Sequence, residues 1–159
     1  MTVTTPGRGA MPDFDFAPDD ALRVGIVIDD HLWLERPGVI TRVRATDLRG
    51  VAHQTRTVRE DRPGVPVLVD IQVMIAPDSR SARAAMDLVS PFTADTLVYV
   101  GTPAGLAGLV TDVHALGIAD GAVFIPLGSV VVDLIRDHVL PELRTRPPVP
   151  AGLAQARPA

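Results

Sequence analysis

The sequence predicts an α/β fold of four mainly parallel βα units. Three observations carry this expectation. Short β-branched runs alternate with helix-spaced stretches, which implies a parallel sheet with helical crossovers. Hydrophobic residues make up 47% of the 159 residues while Phe, Trp and Tyr together make only 4%, the Val, Ile, Leu and Ala bias of covered parallel strands. Pro-Gly, Ser-Pro and Gly-Thr-Pro punctuate the alternation where elements should change.

The first strand is read in RVGIVID, residues 23–29, closed by Asp29 and Asp30. After Pro37 and Gly38, the apolar residues Val39, Ile40, Val43, Leu48, Val51 and Ala52 keep a roughly helical spacing, so a polar-faced helix is expected there. Pro63-Gly64 breaks the chain, and residues 65–76 form the most strand-like segment, with Asp70 and Gln72 on one face. Pro77-Asp78-Ser79 then opens a helix that Ser90-Pro91 stops. A third strand over 96–100 leads into Gly101-Thr102-Pro103, with Thr102 as N-cap and Pro103 as first helical residue, where its missing N–H costs nothing. That helix should reach Leu116 and end at Gly117. A fourth strand spans 122–126, and a last helix spans 130–143, kinked or shortened by Pro141.

Residues 1–20 and the Pro-rich 145–159 are expected to be flexible, flanking a single domain over 21–144. The N-terminus lacks a secretion-signal pattern and no apolar run is long enough to span a bilayer, so a cytoplasmic protein without membrane contact is expected.

Composition removes several chemistries. All fifteen basic residues are Arg, against nineteen Asp plus Glu, giving a formal net charge of −4. A nucleic-acid partner is not expected from this balance. Without Lys or Cys there is no Schiff-base or thiol chemistry. The four histidines, His31, His53, His114 and His138, include no helical i, i+4 pair, and no metal site is expected. No serine stands in a GxSxG setting, and neither GxGxxG nor GxxxxGK[ST] occurs.

Two places remain that could carry chemistry. Asp29, Asp30 and His31 fall at the C-terminal end of a parallel strand, where α/β enzymes place reactive groups. Neighbouring residues of an extended chain point oppositely, however, so the acids equally begin a loop. Together with Asp70 they are the candidate catalytic residues. Gly101 and Thr102 open a helix whose N–H groups could hold a flavin or substrate phosphate; ordinary capping explains the same residues.

The segments LVYVGTPAGLAGLV (97–110), GIADGAVFIP (117–126) and HVLPEL (138–143) resemble, in order and spacing, the C-terminal portion of bacterial luciferase-like flavin-dependent monooxygenases. The pattern is most similar to the nitrilotriacetate and dibenzothiophene-sulfone monooxygenase branch. Residues 67–82 resemble that family's preceding strand and helix. The resemblance implies half of a (β/α)8 TIM barrel, FMN or deazaflavin as cofactor, and oxidoreductase chemistry. Such barrels take roughly 200 residues or more, and the strands that would form most of the flavin pocket have no counterpart here. A half-barrel exposes sheet edges, so the resemblance implies either a homo-oligomer or a complementary N-terminal-half luciferase-like protein as partner. Alternatively the four units close as a small three-layer sandwich. Two functions follow: a truncated monooxygenase that completes its flavin site by association, or a binding or scaffold protein that kept the fold, with or without a small-molecule ligand, but lost the chemistry.

Overall fold

The computed structural model describes residues 21–89 and 94–145. The expected flexible segment 1–20, the expected tail 145–159 apart from Thr145, and the Ser90-Pro91 helix stop lie outside the described residues. In chain order the elements are β1 (Arg23–Ile28), β2 (His31–Leu34), β3 (Thr41–Val43), α1 (Leu48–Asp61), β4 (Val67–Ile75), α2 (Ser79–Met86), β5 (Leu97–Gly101), α3 (Pro103–Ala115), β6 (Gly121–Pro126), α4 (Ser129–Leu134), a π-helical turn (Ile135–Val139) and α5 (Leu140–Thr145).

These strands make one six-stranded mixed sheet, a half-barrel of alternating strands and helices rather than a self-closed sandwich. Every strand pairing is parallel except the β1–β2 hairpin. The order across the sheet is β2-β1-β6-β4, and β3 and β5 share the far edge of β4. β3 pairs with Val67–Val69 and β5 with Ile71–Ile75, so nine residues of β4 serve two short neighbours in succession. The last strand, β6, lies between β1 and β4, with Gly121 opposite both Arg23 and Leu68. A Cβ at Gly121 would stand 1.7 Å from the Arg23 carbonyl oxygen, so only glycine lets these two backbones approach.

β4 is central, and all nine of its residues are buried. Val67, Val69, Ile71, Val73 and Ile75 belong to one continuous core with Val24 and Ile26 of β1, Ala122 and Phe124 of β6, Val51 of α1, Leu106 and Val110 of α3, and Ile135 and Val139 of the π-helical turn. Phe124 and Ile26 are fully buried, each burial stabilising by about 1.5–3 kcal/mol. The alternate residues of β4, including Asp70 and Gln72, lie on the opposite face.

Three expectations change between residues 29 and 61. Asp29 and Asp30 do not simply end a strand. They have φ of 51° and 66° and form a two-residue hairpin turn, with Ile28 opposite His31. Positive φ at both central positions suits the twist of the flanking strands, and aspartate tolerates it better than most side chains. The helix expected over 39–52 begins later, because Thr41–Val43 joins the sheet as β3. Asp47 then caps α1, its side chain accepting from the Gly50 N–H at 2.8 Å, and the helix runs to Asp61. The buried stripe of α1 is therefore Val51 and Thr55.

The remaining elements follow the sequence signals closely, except that α2 ends at Met86, before the expected Ser90-Pro91 stop. Asp78 caps α2, and Thr102 caps α3 with Pro103 in its first turn. The final helical segment is divided as Pro141 suggested. Proline cannot donate to the Asp137 carbonyl four residues back and its ring presses on it, and the turn preceding it, Ile135–Val139, is widened to π geometry.

Candidate functional site

The C-terminal ends of β1, β4 and β6 open onto a cleft with two lobes that share Gly128 and Ser129. One lobe, about 460 Å³, is almost wholly apolar, lined by Met74, Ile75 and Pro77 from the end of β4, Ala85 of α2, and Leu127 and Val131 after β6. The other, about 390 Å³, is bounded by Val27, Ile28 and Asp29 on one side and by Ser129, Asp133 and Arg136 on the other. Both volumes lie in the range of small-molecule pockets. Gly128, with φ of 140°, turns the chain between the lobes in a conformation that side-chain-bearing residues rarely adopt. Sequence reasoning missed this segment. Leu127-Gly128-Ser129, directly after the last strand, was the available signal.

Of the candidate residues, only Asp29 lines this cleft. Asp30 is the other exposed residue of the hairpin turn. Arg136, the cationic residue of the polar lobe, is held by Asp133, with Nη2 2.7 Å from the carboxylate oxygen.

Asp70 is far from Asp29 in role as well as in sequence. It sits in the first half of β4, whereas the cleft takes Met74 and Ile75 from that strand's end. Its side chain is 1% exposed and accepts from three guanidinium N–H groups: Arg42 Nε at 2.8 Å, Arg42 Nη2 at 3.2 Å and Arg44 Nη2 at 3.3 Å. The parallel pairing of β3 on β4 places Arg42 beside Leu68, so Arg42, Arg44 and Asp70 project from one face. Two guanidinium groups around one carboxylate make a charged clamp that ties β3 to β4.

Gly101 and Thr102 lie at the end of β5 and the start of α3. Thr102 Oγ1 accepts from the Gly105 N–H at 3.1 Å, which satisfies one of the free donors of the helix start. The Tyr99 side chain packs over the glycines. Its hydroxyl donates to the Thr102 carbonyl at 3.2 Å, and a Cβ at either Gly101 or Gly105 would collide with it. The space that glycines often leave for a phosphate is here filled by Tyr99.

A third cavity, of about 360 Å³, lies at the opposite end of the strands among Arg23, Arg59, Pro63 and Asp120. Arg59 donates to Asp120 at 2.9 Å, and the other Asp120 oxygen accepts from the Val67 N–H at 2.7 Å. These bonds brace the chain ends entering β4 and β6, which is the stabilising role usual for this end of a barrel sheet.

No group of three or more metal-ligating side chains is found among the described residues, and no helix among them is long and apolar enough to cross a membrane. The Asp78 carboxyl is held below its ordinary value, first by the Ser81 backbone N–H and next by the Ser81 hydroxyl, as befits a helix cap.

The fold has counterparts among solved structures. Riboflavin lyase RcaE, solved with modified FMN and its substrate riboflavin, superposes with a TM-score of 0.56 at 16% identity, over 73% of this chain and 40% of that one. EDTA monooxygenase EmoA from Chelativorans sp. BNC1 gives the same TM-score and identity over 72% of this chain and 41% of its own. This chain thus spans about two fifths of the length of either enzyme. No protein-family model and no curated protein matches the sequence. At this identity the likeness shows the shared fold.

The residues of the cleft fit one part of a flavin and not another. The apolar lobe, about 460 Å³ and walled by apolar side chains, suits an apolar ring. Among the described residues that line the cleft, the one cation available to the phosphate of FMN is Arg136, which is engaged by Asp133, and the start of α3 is capped by Thr102 beneath Tyr99.

Proposed function

We propose that this chain is a truncated luciferase-like flavin-dependent monooxygenase domain, which keeps the cleft at the C-terminal ends of the strands and takes from a second chain the groups that complete a flavin site. The observation that carries this reading is the superposition of nearly three quarters of the chain on riboflavin lyase, a protein solved with modified FMN. The order of the motifs GTP (101–103), DG (120–121) and PEL (141–143) agrees with it. A flavin supplies the redox chemistry in such enzymes, and the protein supplies orientation and exclusion of water. Here the apolar lobe would hold the ring against Ile75, Leu127 and Val131.

A chain that completes the site, whether a second copy or a complementary N-terminal half, is left the edge formed by β3 and β5. The antiparallel β2 occupies the edge of β1, where a parallel strand of a complementary half would have to pair. A second reading, a binding protein that retained the fold without the chemistry, is favoured by the carboxylates: of Asp29, Asp30 and Asp70 only Asp29 lines the cleft, Asp70 is clamped by arginines, and Asp133 across the polar lobe is paired with Arg136.

The experiment is a titration of the purified chain with riboflavin and with FMN, followed by flavin fluorescence. The expected result is quenching of both with similar affinity, because the ring is met and the phosphate is not. Absence of quenching by either would overturn the flavin reading. Given reduced flavin and oxygen, the chain alone is expected to oxidise no substrate above the free-flavin background. If the completing chain restores turnover, the monooxygenase reading stands; flavin binding that never supports turnover selects the binding protein.

A further inference from the structure

The β1–β2 ladder determines which backbone groups of β2 face outward. The Glu35 N–H donates to the Val24 carbonyl at 2.9 Å, so Val24 and Glu35 form a hydrogen-bonded pair. Bonded and non-bonded pairs alternate along an antiparallel ladder. By the register, Ile26–Trp33 and Ile28–His31 are then bonded pairs, whereas Gly25–Leu34 and Val27–Leu32 are not. The N–H and C=O groups of Leu32 and Leu34 therefore point away from β1. Among the described residues no strand meets them.

Exposed edges are usually blunted by Lys, Pro or an inward charge. β2 reads His-Leu-Trp-Leu and has none of these. Its apolar side chains are also open, Trp33 being 44% and Leu32 39% exposed.

We propose that β2 pairs antiparallel with β2 of a second copy of this chain about a two-fold axis through Trp33. In this register Leu32 stands opposite Leu34 of the partner subunit, and Leu34 opposite Leu32 of the partner subunit. All four residues present outward groups, so each pair closes two hydrogen bonds. Trp33 meets Trp33 of the partner subunit at a non-bonded position, where opposed side chains approach most closely. A slip by one residue would set outward groups against inward ones, and a slip by two would leave a pair unused. The edge is thus complementary to itself in one register, which is what an isologous dimer requires.

The geometry also separates this contact from the cleft. A two-fold axis normal to the sheet reverses the strands of the partner, so the two clefts lie at opposite ends of the joined sheet and neither completes the other. The dimer stands or falls independently of any flavin.

Light scattering across a concentration series tests it, with intrinsic fluorescence as a second signal because Trp33 is the only tryptophan of the chain. The expected result is a mass rising to two chains, accompanied by a blue shift of tryptophan emission. Leu32→Pro deletes one outward N–H and no bond to β1, and Trp33→Lys sets two like charges against each other across the axis. Each is expected to weaken association more than tenfold while far-UV circular dichroism stays native, and should one variant fail to fold the other decides. A single-chain mass for the wild type at all concentrations, or folded variants that associate as the wild type does, would overturn the proposal.

Discussion

Replacing Asp70 with alanine separates a structural from a catalytic role for the most deeply buried acid among the described residues. The carboxylate accepts three charge-assisted hydrogen bonds, at 2.8, 3.2 and 3.3 Å, and is 1% exposed. Removing one partner from a fully buried ion pair costs about 3–5 kcal/mol, chiefly because a charge is left stranded. Here the groups left behind are Arg42 and Arg44, whose side chains are 34% and 53% exposed and can turn to water. That relief lowers the expected loss to about 2–3 kcal/mol, near the net worth of hydrogen bonds to one charged group. For a chain of this size it corresponds to a fall in Tm of roughly 4–12 °C. Arg44→Ala, which removes only the more exposed partner, should cost at most about 1 kcal/mol. Urea unfolding followed by far-UV circular dichroism measures both. An Asp70→Ala protein within about 0.5 kcal/mol of the wild type, the range of an ordinary surface change, would refute the clamp and return Asp70 to the list of candidate reactive groups.

Three further outcomes follow from the described geometry. Thr102→Ala removes the acceptor for the Gly105 N–H and should destabilise the protein by about 0.5–2 kcal/mol in the same urea assay, with flavin quenching unchanged. Gly121→Ala puts a methyl against the Arg23 backbone and must force β1 from β6, so a loss of about 1–3 kcal/mol or more is expected, together with faster amide exchange in both strands. The Asp78 carboxyl has a folded pKa below its ordinary 3.8, so its contribution is present above that value and disappears as pH falls through the lower folded pKa; an NMR titration should show the Ser81 amide resonance moving in that acid window, and Asp78→Asn should abolish the movement.

From residue 63 onward the fold was legible because each signal was local. β4 is a nine-residue apolar run, and Asp78 and Thr102-Pro103 cap helices through bonds spanning three residues. Pro141 similarly acts on the turn immediately before it. The stretch from Asp29 to Arg44 was not legible, since strands of four and three residues are too short to show a period, and Asp29-Asp30 lacks the glycine that usually announces such a turn. Val39, Ile40 and Val43 happen to continue the helical spacing of Leu48 and Val51, which moved the expected start of α1 too early. The site was harder still. Asp70 could be seen to lie on one face of its strand, but its arginines are 26 and 28 residues away and reach it only through the β3–β4 pairing. Gly128 and Ser129 join two lobes whose walls come from four separate segments.

The strand order explains how four long strands form a cleft. Were the four long strands arranged in chain order, β1 and β6 would be the two edges, and the C-terminal ends of the first and last strands would be held apart. Instead β6 sits between β1 and β4, pairing with each over several residues. The first and last strands are thus neighbours, as they are where an eight-stranded barrel closes. This brings Asp29, at the end of β1, within one cavity of Ser129 and Arg136, which follow β6, and sets Met74 and Ile75 of β4 on the other side of the same Gly128 turn. The two lobes rest on the three innermost parallel strands, with the β2 hairpin on one flank and β3 and β5 on the other. In the proposed dimer a change at the β2 edge therefore acts on association before it acts on the cleft, whereas a change at Gly121, which lets β6 lie against β1, acts on both lobes at once.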